Sequence, residues 1–263
     1  MNLAGRTVLL TGATGGLGHA IARRMHRAGA RLVLTGRRAE LLGALAAETG
    51  ARSVAVDLTD AAAVERLAND HLDVDVLVAN AGLPASGHLV SFGIDEIDRA
   101  IAVNLRAPMV LARVIGARMA ERGSGHLVFM SSLSGKAATP RTSVYCATKF
   151  GLRGFASALR QDLRPAGVGV SAVFPGFVRD AGMFAESGGK LPPGVGTSTP
   201  EEVADAVARA IERNRGEVDV APLPLKVGTV IAGVAPELAA TFTRASRGAR
   251  VADGIGDGQR AKR

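Results

Sequence analysis

Thr11-Gly12-Ala13-Thr14-Gly15-Gly16-Leu17-Gly18 stands between an apolar run, Arg6 to Thr11, and a helical pattern, Gly16 to Ala28. Glycines at a strand-to-helix junction allow a tight turn and a close backbone approach to a pyrophosphate, whose charge free N–H groups and the helix dipole favour. The stretch therefore predicts a dinucleotide cradle, with Gly12, Thr14, Gly15, Gly16, Leu17 and Gly18 against the phosphates. No Gly-Lys-Ser/Thr follows, which excludes a P-loop.

Outward from the cradle, short apolar runs alternate with amphipathic stretches. Arg6 to Thr11, Arg31 to Thr35, Ser53 to Val56, Val74 to Ala79, His126 to Ser131, Val168 to Phe174 and Glu217 to Val220 read as strands. Gly16 to Ala28, Glu40 to Glu48, Ala61 to Asn69, Ile94 to Glu121, Val144 to Leu163 and Glu201 to Arg213 read as helices. Such alternation means an α/β chain with a parallel sheet of about seven strands covered on both faces. Thr199 before Pro200, Glu201 and Glu202 reads as a helix N-cap.

A chain of 263 residues with 47% hydrophobic content suffices for one large core, so residues 1–263 are expected to form one domain. Met1 to Leu10 carries no export pattern, and the lone Cys146 forms no internal disulfide, so a cytoplasmic protein is expected. The five histidines are scattered without ligand spacing, and no metal is predicted. The net charge of +8 raises the question of nucleic acid, but basic residues are spread along the chain, aromatics make up 3% and Trp is absent. Few stacking platforms remain, and no nucleic-acid partner is expected.

At the end of the second strand an acid would hold a ribose 2′-hydroxyl, whereas an arginine accommodates a 2′-phosphate. The chain reads Leu34-Thr35-Gly36-Arg37-Arg38 there, which favours NADP over NAD. Tyr145 is the only tyrosine, and Lys149 is one of five lysines among thirty-two basic residues. At i and i+4 the two share a helix face, where the cation is expected to lower the phenol's proton affinity and make an acid/base for carbonyl redox chemistry.

The elements Thr11-Gly12-x-x-x-Gly16-x-Gly18, Asp57, Asn80-Ala81-Gly82, Asn104, Ser132, Tyr145-x-x-x-Lys149 and Pro175-Gly176 occur in one register. In this the chain resembles the short-chain dehydrogenase/reductase family, nearly throughout to about Val220. The resemblance implies a three-layer, doubly wound Rossmann fold and an NADP(H)-dependent oxidoreductase interconverting a carbonyl and an alcohol on a small, mostly apolar substrate. It implies Asn104, Ser132, Tyr145 and Lys149 as the catalytic set: Tyr145 the acid/base, Ser132 on the substrate oxygen, Asn104 anchoring a water. Lys149 would also grip the nicotinamide ribose. By the same resemblance Asp57 and Leu58 would face adenine, Asn80, Ala81 and Gly82 would support the cofactor, and Pro175, Gly176 and Val178 would flank it. Two departures are Ala79, where the family often has Asn, and Asp180, where it commonly has Thr. Members of the family usually assemble through helices matching 104–121 and 144–163, so a homodimer or homotetramer is expected.

Residues 177–198, rich in Gly and Pro around Met183, Phe184 and Leu191, read either as a substrate lid or as a plain connector. The apolar arm 221–246 is expected to pack on the core or on a neighbouring subunit, with a surface-lying membrane element acting on lipidic substrates as the alternative. Residues 247–263 read as a frayed tail. A reading from another class, an NADP sensor or scaffold without chemistry, would keep the cradle and have no use for the Tyr-Lys pair.

Overall fold

The computed structural model describes residues 1–189, 191, 195–237, 241, 255, 258 and 259. Seven strands, β1 (Thr7–Leu10), β2 (Arg31–Gly36), β3 (Arg52–Ala55), β4 (Val76–Ala79), β5 (Gly125–Met130), β6 (Val168–Pro175) and β7 (Glu217–Val220), form one sheet in the order β3-β2-β1-β4-β5-β6-β7. Every neighbouring pair is parallel. The central strands β4, β5 and β6 are buried throughout, whereas β3 at the edge meets solvent. That difference is what a sheet covered on both faces demands of its interior and its margins.

The helices are α1 (Gly16–Arg27), α2 (Ala39–Thr49), α3 (Ala61–Asn69), α4 (Ile94–Ile101), α5 (Ala107–Arg122), α6 (Ser143–Leu163), α7 (Gly182–Ser187), α8 (Pro200–Glu212) and α9 (Leu223–Val234). Ile21 and Met25 of α1 join Leu42 of α2 and Val203, Val207 and Ile211 of α8 in one apolar layer. Leu67 of α3, Leu111, Ile115 and Met119 of α5 and Leu152 of α6 fill the other. The spacings of four and eight residues put each set on one helix face. Thr199 caps α8 as expected: its Oγ1 accepts from Glu202 N at 3.0 Å while Glu202 Oε2 accepts from Thr199 N at 2.8 Å.

The strand order reverses between β1 and β4, and in such sheets the crevice beyond the carboxyl ends at the reversal is the ligand site. The glycine cradle leaves β1 there and Asn80 leaves β4. One helix expected as continuous, Ile94 to Glu121, departs from the α pattern in its middle: Ala102–Arg106 is a π turn between α4 and α5. Pro108 explains it, because proline has no N–H to return to the preceding turn and the ladder must shift around it. Asn104 lies at the centre of that turn and is fully buried.

The expected arm 221–246 contains α9, whose Leu223, Val227, Val230, Ile231 and Val234 are exposed rather than packed on the core. Most of the expected tail 247–263 lies outside the described residues. Gln259, which is described, donates from Nε2 to Met183 O at 3.4 Å and so rests on α7.

Candidate active site

Gly12 has a φ of 66°, a conformation other residues resist, and a Cβ placed on it would lie 2.6 Å from Ala81 Cα. A Cβ on Gly18 would collide with Gly12 O and lie 2.8 Å from Ala13 Cα. The backbone therefore turns where only glycine fits, and α1 starts without a side-chain cap or an acid in its first turn. Its leading N–H groups and dipole are left for an anion, which fits the phosphates of a dinucleotide. Asn80 braces the loop by donating from Nδ2 to Thr11 O and Gly12 O, both at 3.1 Å. Thr11 Oγ1 accepts from Asn80 N and Ala81 N at 3.1 Å each, a support not predicted for it. A threonine closing an apolar strand just before the first glycine is the signal for that role.

Arg37 and Arg38 are exposed at the end of β2, with no acid beside them on the strand. Arg38 reaches back over the cradle, donating from Nη2 to Thr14 O at 2.6 Å. Asp57 is exposed after β3, and its Oδ1 accepts from Thr59 N and Thr59 Oγ1 at 2.9 Å each. The bond from Thr59 N, then its hydroxyl and the charge of Arg37, outweigh the effect of burial and hold the Asp57 carboxyl below its ordinary range. Leu58 is buried behind it. This margin presents two guanidinium groups to a ligand, a composition that fits an added phosphate on the ribose.

Ser132, Tyr145 and Lys149 converge at the ends of β5 and α6. Ser132 stands close enough to the Tyr145 phenol to lower its proton affinity. Tyr145 packs beside Ala85, Phe92, Ile97, Ala100 and Val144, which fixes the ring. Lys149 is buried, donates from Nζ to Met130 O at 2.8 Å, and lies 5.6 Å from the centroid of the Tyr145 ring. The expectation that the ammonium acidifies the phenol does not hold in the chain alone. Burial pushes Tyr145 up to about 12, Ser132 only partly offsetting it, and burial pushes Lys149 down to about 8. The i, i+4 spacing places both groups on one face, but Met130 O, not the phenol, takes the ammonium's hydrogen bond.

Asn104 Oδ1 accepts from Leu83 N at 2.7 Å, and its Nδ2 donates to Leu83 O at 3.0 Å. It thus clamps the strand end after Gly82, where a Cβ would lie 3.4 Å from Asn104 Oδ1 and 3.8 Å from Lys149 Nζ. Asn104, Gly82 and Lys149 consequently share one crevice with the cradle. Pro175 O accepts from Ser132 Oγ at 3.5 Å, and Gly176 N donates to Val220 O at 3.0 Å, so Pro175 and Gly176 line the same wall.

The candidate lid is pinned at its stems: Ser198 N donates to Phe177 O and Arg179 N to Ser198 O, both at 2.9 Å, with Val178 bridged to Ser198. Between them α7 lies across the crevice. Gly182 N would be 3.0 Å from a Cβ on Gly16, and Met183 Cε 3.3 Å from one on Gly82. Among its described residues the segment carries a helix of its own, α7. Asp180 adopts a φ of 68°, and its exposed carboxylate is 3.5 Å from Arg179 Nε.

A sequence model of the short chain dehydrogenase family matches residues 6–191. The chain is 37% identical over 233 residues to the ketoacyl reductase HetN of Nostoc, covering 85% of this chain and 81% of that protein. It is 33% identical over 261 residues to the dehydrogenase/reductase SDR family member 7B of Xenopus tropicalis, covering 90% and 84%. The solved structure of the short-chain dehydrogenase from Sphingobium yanoikuyae in complex with NADPH superposes with a TM-score of 0.76 at 32% identity, covering 83% of this chain and 88% of that one.

Proposed function

Because the chain belongs to the short-chain dehydrogenase/reductase family of NAD(P)-dependent oxidoreductases, we propose that it interconverts a carbonyl and an alcohol on a small, mostly apolar molecule, with NADP(H) as cofactor and Tyr145 as general acid/base. The observation that carries this reading is the meeting of Ser132, Tyr145 and Lys149 in the crevice that the glycine cradle opens. The NADPH of the Sphingobium structure supports the cofactor choice, and the ketoacyl reductase of Nostoc supports reduction.

NADPH, when bound, supplies the hydride for the carbonyl carbon. Gly12, Thr14, Gly15, Gly16, Leu17 and Gly18 would hold its phosphates, Arg37 and Arg38 its 2′-phosphate. Asp57, Leu58, Asn80, Ala81, Gly82, Pro175, Gly176 and Val178 would flank the rest. In the cofactor-free chain the phenol, at about 12, is a neutral acid at pH 7, and making a phenolate there would cost ~7 kcal/mol. Tyr145 is thus set to give its proton to a substrate oxygen, as reduction requires. Ser132 is placed to direct that oxygen toward the phenol. Lys149, at about 8, exchanges protons near neutrality and can return one to Tyr145. An arginine could not, since its guanidinium does not deprotonate in proteins.

The test is Tyr145→Phe assayed with NADPH across ketones and aldehydes. Turnover is expected to vanish while NADPH binding stays within about twofold; retained turnover would remove Tyr145 from the mechanism. Tight NADPH binding by the wild-type chain with no turnover of any carbonyl would favour the sensor reading. A cytoplasmic homodimer or homotetramer joined through α5 and α6, where Met109 and Phe150 are exposed, belongs to the same proposal. One observation favours a second setting: the exposed apolar residues of α9 suit a membrane surface and a lipidic substrate. Flotation with anionic liposomes separates the two settings.

A further inference from the structure

Lys136, Arg153, Glu217 and Asp219 stand outside the residues assigned above, yet they tie the two halves of the site together. Lys136 follows the short helical turn Leu133–Gly135, four residues after Ser132. Its ammonium is 2.9 Å from Glu217 Oε2 and 2.6 Å from Asp219 Oδ1. Arg153 lies one helical turn beyond Lys149 and two beyond Tyr145 on α6. It grips the same Glu217 from the other side, donating from Nε to Oε1 at 2.7 Å and from Nη2 to Oε2 at 3.2 Å. The alternation of β7 puts Glu217 and Asp219 on one face of that strand, while Val218 and Val220 pack into the opposite layer.

The fully buried Phe174 presents its ring to both cations, 4.1 Å from Lys136 Nζ and 5.8 Å from Arg153 Cζ. The Lys136 side chain is only 12% exposed, so removing one partner strands a desolvated charge, unlike an open surface pair. Burial alone would raise the Glu217 carboxyl, but the hydrogen bonds from Arg153 and Lys136 outweigh it and hold the group below its ordinary range. On its inner side the serine loop meets α6 directly. A Cβ on Gly135 would lie 2.7 Å from Lys149 O, and Ser131 Oγ donates to that same carbonyl at 3.1 Å. Ser132 is held between this inner contact and the outer ion pairs.

We propose that Glu217 is a positioning residue: by taking one cation from the serine loop and one from the Tyr-Lys helix, it fixes the Ser132 hydroxyl against the Tyr145 phenol. The inference rests on the proposed roles of Ser132 and Tyr145, but its test has a readout that needs no substrate. Tyr145 is the only tyrosine and the chain has no tryptophan, so emission excited beyond the absorption of its eight phenylalanines reports this phenol alone. In Glu217→Gln and in Lys136→Met, each confirmed folded by circular dichroism and by an NADPH thermal shift, acrylamide quenching of that emission is expected to rise at least twofold. Lys136→Arg, which can keep the pair, should stay near wild type. With ethyl acetoacetate as the carbonyl probe, kcat should fall about tenfold while KM changes less than threefold, and the double variant should be no worse than either single. Unchanged quenching in folded Glu217→Gln overturns the proposal, whatever the turnover. Turnover surviving in Tyr145→Phe would instead overturn the functional reading and leave the quenching result to decide this one.

Discussion

Replacing Lys149 by methionine separates the use of the ammonium from its cost. The side chain is buried, and desolvation holds its amine at about 8 instead of 10.5. Between those values the unfolded chain keeps a proton that the folded chain has released, so stability rises with pH across the window from about 8 to 10.5. The whole gap is worth ~3 kcal/mol, most of which is recovered between about pH 7 and pH 10. Methionine has no proton to release, and every other group titrates in both chains, so the wild-type protein should gain that amount relative to Lys149→Met. At pH 7 the variant escapes the desolvation cost but leaves Met130 O without its 2.8 Å donor, a loss of about 1 to 3 kcal/mol. The net effect there is a gain of about 0 to 2 kcal/mol, in a protein expected to have lost turnover. Urea unfolding of the cofactor-free chain, followed by circular dichroism at the two pH values, measures both terms. Stabilities that change in parallel would refute a desolvated ammonium at position 149.

Other perturbations read other parts of the molecule. Exchanging Arg37 and Arg38 for serine together should weaken NADPH at least tenfold and leave NADH within about twofold by calorimetric titration; equal losses would sink the 2′-phosphate argument. His126, its Nε2 2.8 Å from Ser171 Oγ, is pushed by burial down to about 3, so as pH falls below 6.5 the unfolded chain takes up the proton first. At about pH 4.5 the wild-type chain should have lost ~3 kcal/mol that His126→Gln does not lose, and identical acid profiles in urea melts would exclude a buried neutral ring. In Gly12→Ala the new Cβ meets Ala81 Cα at 2.6 Å in a conformation of φ 66°, which should cost about 1 to 3 kcal/mol of stability and weaken NADPH binding. Wild-type values for both quantities would show that the loop has slack.

Much of the architecture could be read from one-dimensional pattern because burial on both faces leaves no choice of residue. Val76–Ala79, Gly125–Met130 and Val168–Pro175 are apolar for that reason apart from the paired His126 and Ser171, and each expected strand lies within two residues of its observed bounds. The glycines of the cradle were equally legible, since close backbone approach excludes every side chain. The π turn at Ala102–Arg106 was not, because a change of ladder leaves the apolar spacing of the helix nearly intact; Pro108 was its only mark. The helix α7 was hidden by the glycines around it, and its contacts with Gly16 and Gly82 are tertiary. Lys136, Arg153 and Glu217 come from three elements far apart in the chain, and no local spacing could have joined them. A lysine four residues after Ser132, in a chain that otherwise prefers arginine, was the one available hint.

The disagreement over Tyr145 has a physical lesson for such sites. Spacing fixes which side chains share a face, but a proton affinity depends on what each charged group finds at its tip and on how much water remains. Here the Lys149 tip finds Met130 O, and the phenol finds a hydroxyl among apolar neighbours, so desolvation wins at both residues and moves their proton affinities apart, to about 12 and about 8. A neutral phenol next to an amine that titrates near neutrality is a proton donor with a reservoir behind it. The opposite arrangement, a phenolate facing a fixed ammonium, would be a base awaiting an alcohol. On the proposed role of Tyr145, the cofactor-free chain suits protonating an oxygen, and withdrawing a proton from an alcohol would require a further positive charge in the crevice to offset the ~7 kcal/mol that separates phenol from phenolate at pH 7.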